Sequence, residues 1–153
     1  MIEAVGPEFL DSYFNSINKY LKLKTGIAVI QAITLPELRY ADYCKKTDFI
    51  QKYIFPGGHC PSLTAITNAV FNGSNGYLVV DNVENIGPHY SKALRLWREK
   101  FDNSFEMKVL KNKKNLNEKA KDIGLDFRYD STFKLKWDFY FSYCEAGFSS
   151  RSL

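Results

Sequence analysis

The sequence has few cysteines and no long apolar run. Among its 153 residues, Cys44, Cys60 and Cys144 are too few and too scattered for a disulfide framework. A reduced, cytoplasmic setting is therefore expected. No apolar run approaches the roughly 18 residues needed to span a bilayer. The first residues show neither the basic nor the apolar region of a signal peptide.

A strong excess of one charge is also missing. The net charge of +4 and the isoelectric point of about 8.9 fall short of a nucleic-acid-binding footprint, so no nucleic-acid partner is expected. The mild positive charge would favour contact with an anionic membrane surface. Hydrophobic residues make up 45% of the chain and charged residues 25%, which is typical of a globular domain. The aromatic share of 16% suits either a dense core or an apolar pocket.

The hydrophobic pattern predicts alternating helices and strands. Apolar residues recur at helical spacing after Pro7, Ser62, Pro88 and Asp130, each of which suits a helix start. Two short runs rich in branched residues, 27–33 and 77–86, predict buried strands. This order is typical of an α/β layered domain. The expected buried faces are Leu10, Phe14, Ile17 and Leu21; Leu63, Ile66 and Val70; Tyr90, Leu94, Trp97 and Phe101; and Phe133, Trp137, Tyr140, Phe141 and Cys144.

Two segments do not fit this alternation. Residues 35–61 form a long irregular stretch ending in "YIFPGGHCPS", and such a stretch within a compact domain is usually functional. Residues 108–122 are rich in lysine and lack aromatics, which predicts a solvated insertion of a kind that can be disordered. Membrane contact by this insertion is the alternative reading.

Five blocks of sequence, in this order, carry a family resemblance: "MIEAVG", "VIQAITLP", "DFIQKYIFPGGHCPS", "VENIGPHYSKALRLW" and "FYFSYCEAGFSSR". Together they resemble the C-terminal half of the cyclopropane-fatty-acyl-phospholipid synthases, including the mycolic acid cyclopropane synthases. The resemblance covers most of the chain apart from the lysine-rich insertion. It implies the class I S-adenosylmethionine-dependent methyltransferase fold, a Rossmann-like α/β architecture, of which residues 1–153 would be a partial domain.

In that fold the cofactor binds at a glycine-rich turn, but this chain has nine glycines and no G-x-G. The resemblance therefore implies that the N-terminal, cofactor-binding half is absent, together with the family's active-site cysteine. Met1 is interpreted as an internal methionine of a longer enzyme or the start of a truncated gene model. The two predicted strands would not be neighbours in the family sheet, because its final antiparallel strand lies between them.

The resemblance also implies a site. The family transfers a methyl group from S-adenosylmethionine to a double bond in a phospholipid acyl chain, and a bound bicarbonate is thought to act as the base. Glu3 matches the family glutamate that orients bicarbonate, and the backbone N–H of Ile33 matches a further contact. Gln31 stands where bacterial members carry histidine, and it can hold an anion but cannot be the base. Tyr90, in "GPHY", matches the family tyrosine.

Simpler readings exist for each residue. Glu3 alone could cap the helix that begins near Pro7, and Tyr90 could be a core residue. His59 and Cys60, with Cys44 upstream, are too few and poorly spaced for a metal site, so no metal is expected.

Alternatives for the whole protein also stay open. One is a small-amine N-methyltransferase of the same fold, and another is a non-catalytic module that binds a lipid surface or a partner. Self-association into a homo-oligomer is not excluded.

Overall fold

The apolar spacing after Pro7 produces the predicted first helix. A 3₁₀ turn at Pro7–Phe9 leads into α1, Leu10–Tyr20, whose Leu10 and Phe14 are buried. Gly26 is the helix stop that the sequence predicts, because glycine is favoured just after a helix end. The helix ends earlier, because Leu21 already leaves the helical conformation with a ψ of 137°.

The structure is a computed structural model, and it describes residues 1–124 and 128–151. These residues form two compact units: the first covers Met1–Asn85, and the second begins at Ile86. After α1 the helices are α2, Glu37–Tyr43; α3, Phe49–Tyr53; α4, Leu63–Ser74; α5, Gly87–Ser104; α6, Lys113–Asp122; and α7, Ser131–Ser149; short 3₁₀ and π-helical turns cover Ile2–Ala4 and Phe105–Val109.

The core of the first unit lies between α1 and α4. Ile2, Leu10, Phe14 and Ala69 form its buried centre. Gly73 lies where the two helices come closest, because a Cβ atom there would collide with the backbone carbonyl oxygen of Asp11 in α1. The start of α4 agrees with its prediction, since the Ser62 hydroxyl accepts a hydrogen bond from the Ala65 N–H at 3.1 Å.

The stretch from 35 to 61 is more regular than the sequence suggested, because it contains α2 and α3. A reciprocal capping box starts α3: the Asp48 side chain accepts from the Gln51 N–H, and the Gln51 side chain accepts from the Asp48 N–H. An isolated parallel bridge joins Leu35 to Ser62, with Leu35 N–H donating to the Pro61 carbonyl at 3.1 Å. This bridge brings both ends of the stretch together.

The structure forms neither predicted strand, so the predicted α/β layering is not confirmed. Within residues 1–124 and 128–151, the segments 27–33 and 77–86 belong to no β-ladder. Their apolar side chains are not buried: Ile27 is 85% exposed, Val29 90% and Val79 85%. A strand is stable only when a neighbour satisfies its backbone groups and covers its faces, and the described residues offer these segments no such neighbour. The spacing of the two segments in a larger sheet stays a prediction.

In the second unit α5 packs against α7 through aromatic rings. The predicted capping residue Asp130 accepts from the Phe133 N–H at 2.9 Å. Phe101 of α5 lies 5.7 Å from Phe141 and 6.0 Å from Trp137, measured between ring centroids. Cys144 is also buried, so this face of α7 is confirmed as core. At one edge of the pair, Lys134 of α7 donates to the carboxylate of Asp102 in α5 at 2.6 Å.

The lysine-rich stretch 108–122 contains regular structure where none was predicted. Helix α6 covers most of it, and Ala120 is buried while the lysines of the helix are exposed. Whether the stretch is an insertion relative to the family stays a prediction. No helix in the described part of the chain is both long and apolar enough to cross a membrane.

Candidate functional site

Glu3 lies in the 3₁₀ turn Ile2–Ala4, which Ile2 fixes in the core. Its Oε1 atom accepts a hydrogen bond from the backbone N–H of Ile33 at 3.0 Å. Its Oε2 atom accepts from the amino group of Met1 at 3.1 Å. Two of the four predicted site residues, Glu3 and Ile33, are therefore in direct contact.

Opposing effects act on the Glu3 carboxyl group. Partial burial raises its pKa, because a charged group loses solvation there. The hydrogen bonds from the Ile33 N–H and from its own N–H, and then the Met1 ammonium, favour the ionised form, and the net result is a pKa below its usual range. Glu3 is therefore an ionised acceptor at neutral pH.

Residues 58–61, which we call the clamp loop, form hydrogen bonds to the two segments that carry Glu3 and Ile33. On one side, the backbone N–H of His59 donates to the carbonyl oxygen of Glu3 at 2.7 Å. On the other side, the Pro61 carbonyl accepts from the N–H of Leu35. Three segments that are distant in sequence are thus each hydrogen-bonded to the other two: the N-terminal turn, residues 33–35 and the clamp loop.

Helices α2 and α3 support the clamp loop through Tyr43 and Gln51. The Tyr43 hydroxyl accepts from the backbone N–H of Cys60 at 3.0 Å and from the side-chain amide of Gln51 at 3.1 Å. The same amide donates to the Gly58 carbonyl at 3.1 Å. The bonds to Gly58 and Cys60 join the loop to the two helices, and the bond between Gln51 and Tyr43 joins the helices to each other.

The His59 side chain fills the space between two tyrosines. Its Nε2 lies 2.9 Å from the Tyr40 hydroxyl. Its ring centroid is 5.6 Å from that of Tyr40 and 5.4 Å from that of Tyr43. Only 6% of His59 is exposed. A buried polar ring with a hydrogen-bond partner is a fixed structural element.

Burial shifts the titration of this cluster away from neutrality. Desolvation lowers the pKa of His59, an effect that the charge of Glu8 opposes. Desolvation raises the pKa of Tyr43 to about 12 and the pKa of Cys60 to about 11. The histidine is therefore neutral and the thiol protonated at pH 7.

The other two predicted site residues, Gln31 and Tyr90, lie in different units. Gln31 belongs to the same unit as Glu3 and Ile33, but it is exposed, whereas a buried amide was expected. Its segment forms no strand in the described residues, so no sheet covers it. Tyr90 belongs to the second unit, near the start of α5, where its ring lies 5.2 Å from that of Phe148 and 6.2 Å from that of Trp97. Tyr90 thus makes the core-type contacts that its helical spacing also allowed.

Sequence reasoning missed the support of the clamp loop. The sequence marks His59 only as a candidate metal ligand, and it does not distinguish Tyr40 or Tyr43 from the other tyrosines. The spacing of Asp48 and Gln51 carried a signal, because it matches a capping box and so predicts a helix start. Nothing in the sequence pairs Tyr40 with His59. In the described parts of the chain, no three His, Cys, Asp or Glu side chains are grouped so as to hold a metal ion.

The arrangement suits transfer of a proton or the orientation of a molecule that carries a hydroxyl group. An ionised carboxylate and a backbone donor meet in a half-buried place on a rigidly held turn. Such a carboxylate can accept a proton or orient a hydroxyl group of a bound molecule.

Comparison with known proteins gives the family. The family model described as mycolic acid cyclopropane synthetase matches residues 1–153. The chain belongs to this family, as the resemblance in sequence suggested.

Individual relatives agree with this assignment. Over 98% of its length the chain is 35% identical to tuberculostearic acid methyltransferase of Mycobacterium tuberculosis, covering 31% of that protein. Over its full length the chain is 28% identical to the cyclopropane-fatty-acyl-phospholipid synthase of Escherichia coli, of which it covers 33%. Over 62% of the chain it is 31% identical to cyclopropane mycolic acid synthase 1 of M. tuberculosis, of which it covers 35%. The chain thus spans about a third of the length of these relatives.

Proposed function

We propose that this chain is the C-terminal part of an S-adenosylmethionine-dependent enzyme that builds a cyclopropane ring on an unsaturated phospholipid acyl chain. The observation that carries the proposal is the contact between Glu3 and Ile33, because these are two residues to which the family resemblance gives a role in the site. Family membership over the whole chain supports it.

The reaction defines what the site must do. The methyl carbon of S-adenosylmethionine bonds to one alkene carbon as its bond to sulfur breaks, which leaves S-adenosylhomocysteine. One proton of the new methyl group must then leave so that the ring can close onto the second alkene carbon. An alkene is a weak nucleophile, so cationic character develops and water must be excluded. The chain contributes aromatic residues at high frequency, and aromatic faces can stabilise such a cation.

Bicarbonate, when bound, would supply the base for that last proton. Its expected holders are the Glu3 carboxylate, the Ile33 N–H, the Gln31 amide and the Tyr90 hydroxyl. The Ile33 N–H fits this role, because it already donates a hydrogen bond to an anionic oxygen, the Oε1 of Glu3. Binding would require the Glu3 carboxylate to break its hydrogen bond with the Ile33 N–H and to remain next to it. The Glu3 carboxylate would then accept a hydrogen bond from the bicarbonate hydroxyl and so orient the anion, since an ionised carboxylate can only accept hydrogen bonds.

S-adenosylmethionine is the expected methyl donor for this family, although the sequence contains no G-x-G turn of the kind that binds it. The phospholipid substrate implies work at the surface of a membrane from the cytoplasm. The net charge of +4 would favour an anionic surface.

A chimaeric enzyme tests this function directly. The segment of the E. coli relative that matches this chain is replaced by the chain, and the chimaera is incubated with methyl-labelled S-adenosylmethionine and vesicles of a monounsaturated phospholipid. Cyclopropane acyl chains, identified by mass spectrometry, are the expected product. Glu3→Gln in the same chimaera should remove most of the product, and Glu84→Gln, at an exposed position, serves as the matched control.

The other outcomes separate the alternatives. A chimaera that binds S-adenosylmethionine and labels small amines, but not lipid, would indicate an N-methyltransferase. One that binds S-adenosylmethionine and vesicles but transfers nothing would favour a non-catalytic lipid-binding module. Either result would contradict the proposal.

A further inference from the structure

We propose that His59, held by Tyr40, is a positioning residue that sets the place of the Glu3 carboxylate. The role rests on the proposed function in one respect, namely that Glu3 belongs to the site. The physical coupling itself depends only on contacts within the first unit.

The coupling begins at the backbone of His59. Its N–H donates to the Glu3 carbonyl at 2.7 Å, so a displacement of His59 displaces the Glu3 backbone. The carboxylate of the same residue is then fixed by the Ile33 N–H at 3.0 Å. Glu3 is therefore gripped at two points, one on the main chain and one on the side chain.

The side chain of His59 decides where its backbone can lie. The ring is buried, with the Tyr40 hydroxyl 2.9 Å from Nε2 and the ring of Tyr43 on another side. A side chain locked in this way restricts the backbone that carries it. Tyr40 belongs to α2, so the position of Glu3 depends, through His59, on this helix.

The other bonds of the clamp loop do not replace this contact. Gly58 and Cys60 are held through Gln51 and Tyr43, which makes the loop rigid on either side of His59. Neither of these bonds reaches Glu3. Tyr40 makes the hydrogen bond to the side chain of His59, the residue bonded to Glu3, and Tyr43 adds a ring contact.

Tyr40→Phe is the decisive variant, since it keeps the ring and removes the hydroxyl. Amide hydrogen exchange and the pH titration of the Ile33 amide are measured by NMR on the full chain. We expect the Ile33 and His59 amides to exchange about five- to tenfold faster, as for the loss of one hydrogen bond, while the Phe14 amide in the α1 core keeps its rate. The midpoint of the Glu3 titration, read at the Ile33 amide, should rise, because a looser donor stabilises the ionised form less.

Two further variants complete the test. Tyr20→Phe makes the same change at an exposed position and should alter neither quantity. His59→Gln removes the ring that contacts both tyrosines and should accelerate exchange at Ile33 at least as much as Tyr40→Phe. Equal acceleration of the Ile33, His59 and Phe14 amides would show a purely structural role and would overturn the inference, as would unchanged exchange at Ile33.

The measurement needs no substrate. An inactive chimaera with the expected exchange pattern would reject the proposed function and leave the coupling standing. The reverse result would reject the coupling alone.

Discussion

The carboxylate of Glu3 and the backbone N–H of Ile33 are joined at 3.0 Å, although 30 residues separate them in the chain. The contact fixes the position of a carboxylate next to Ile2, a buried residue of the first unit's core.

Glu3→Gln should weaken the first unit. The neutral amide is a poorer acceptor for the Ile33 N–H, so the free energy of unfolding should fall by about 1 kcal/mol. Urea unfolding followed through the NMR signals of the first unit measures this change. Glu84→Gln removes an exposed carboxylate and should leave the unfolding free energy unchanged. Equal stability of wild type and Glu3→Gln would show that the contact contributes nothing to folding.

Gly73→Ala should destabilise the packing of α1 against α4. Alanine favours a helix by about 1 kcal/mol over glycine. Its methyl group would, however, collide with the Asp11 carbonyl, which cannot move without shifting α1. We expect a net loss of about 1–3 kcal/mol in urea unfolding. Asn72→Ala, one position earlier and exposed, is the control; a Gly73→Ala variant as stable as this control would contradict the close approach.

Acid should weaken the first unit through His59. The pKa of His59 in the folded chain lies below its ordinary value of 6.5, so between these two values the unfolded chain binds more protons. Stability is therefore full above pH 6.5 and falls as the pH drops through the pKa of the folded state. Tyr40 and Cys60, which face this cluster, titrate at about 12 and about 11 and do not contribute in this range.

The control for the acid effect is the other histidine. His59→Gln should flatten the dependence of unfolding free energy on pH between about 6.5 and 4.5, and His89→Gln, at an exposed position, should not. Below the ordinary Glu3 value of 4.5 a second decline should remain in both variants, because the pKa of Glu3 is also lowered. A His59→Gln variant with the wild-type slope would rule out this histidine as the cause.

Val29→Lys should reduce self-association of the chain. Val29 is 90% exposed in an apolar segment that belongs to no β-ladder within the described residues, and such a segment is prone to pair with another chain. Sedimentation velocity at rising concentration should show less oligomer for Val29→Lys than for wild type. Leu38→Lys places the same charge at a residue that is 98% exposed on α2 and should have a smaller effect. The same behaviour in both variants would indicate a general effect of charge.

Local signals in the sequence were sufficient for most helices. Ser62 and Asp130 cap α4 and α7 as predicted, because an N-cap depends on contacts within one turn. The apolar spacing of α7 identified Phe141 and Cys144 as buried. The end of α1 was wrong because Leu21 departs from helical geometry before any glycine requires it.

The two predicted strands depend on contacts beyond their own segments, unlike the helix starts. The branched residues of 27–33 and 77–86 carry a local preference, but a strand exists only with a partner. In the described residues that partner is not supplied, and side chains such as Val79 remain exposed. Propensity alone therefore gave the wrong secondary structure.

The sequence by itself determined the family and the starts of α1, α4, α5 and α7, because these depend on residue identity and short-range spacing. Only the tertiary structure decided that Glu3 and Ile33 touch, that His59 holds the Glu3 backbone, and that Tyr40 holds His59. These bonds join segments 19 to 30 or more residues apart. Such pairings are fixed by the packing of helices and loops around a shared core, which no local pattern of residues encodes.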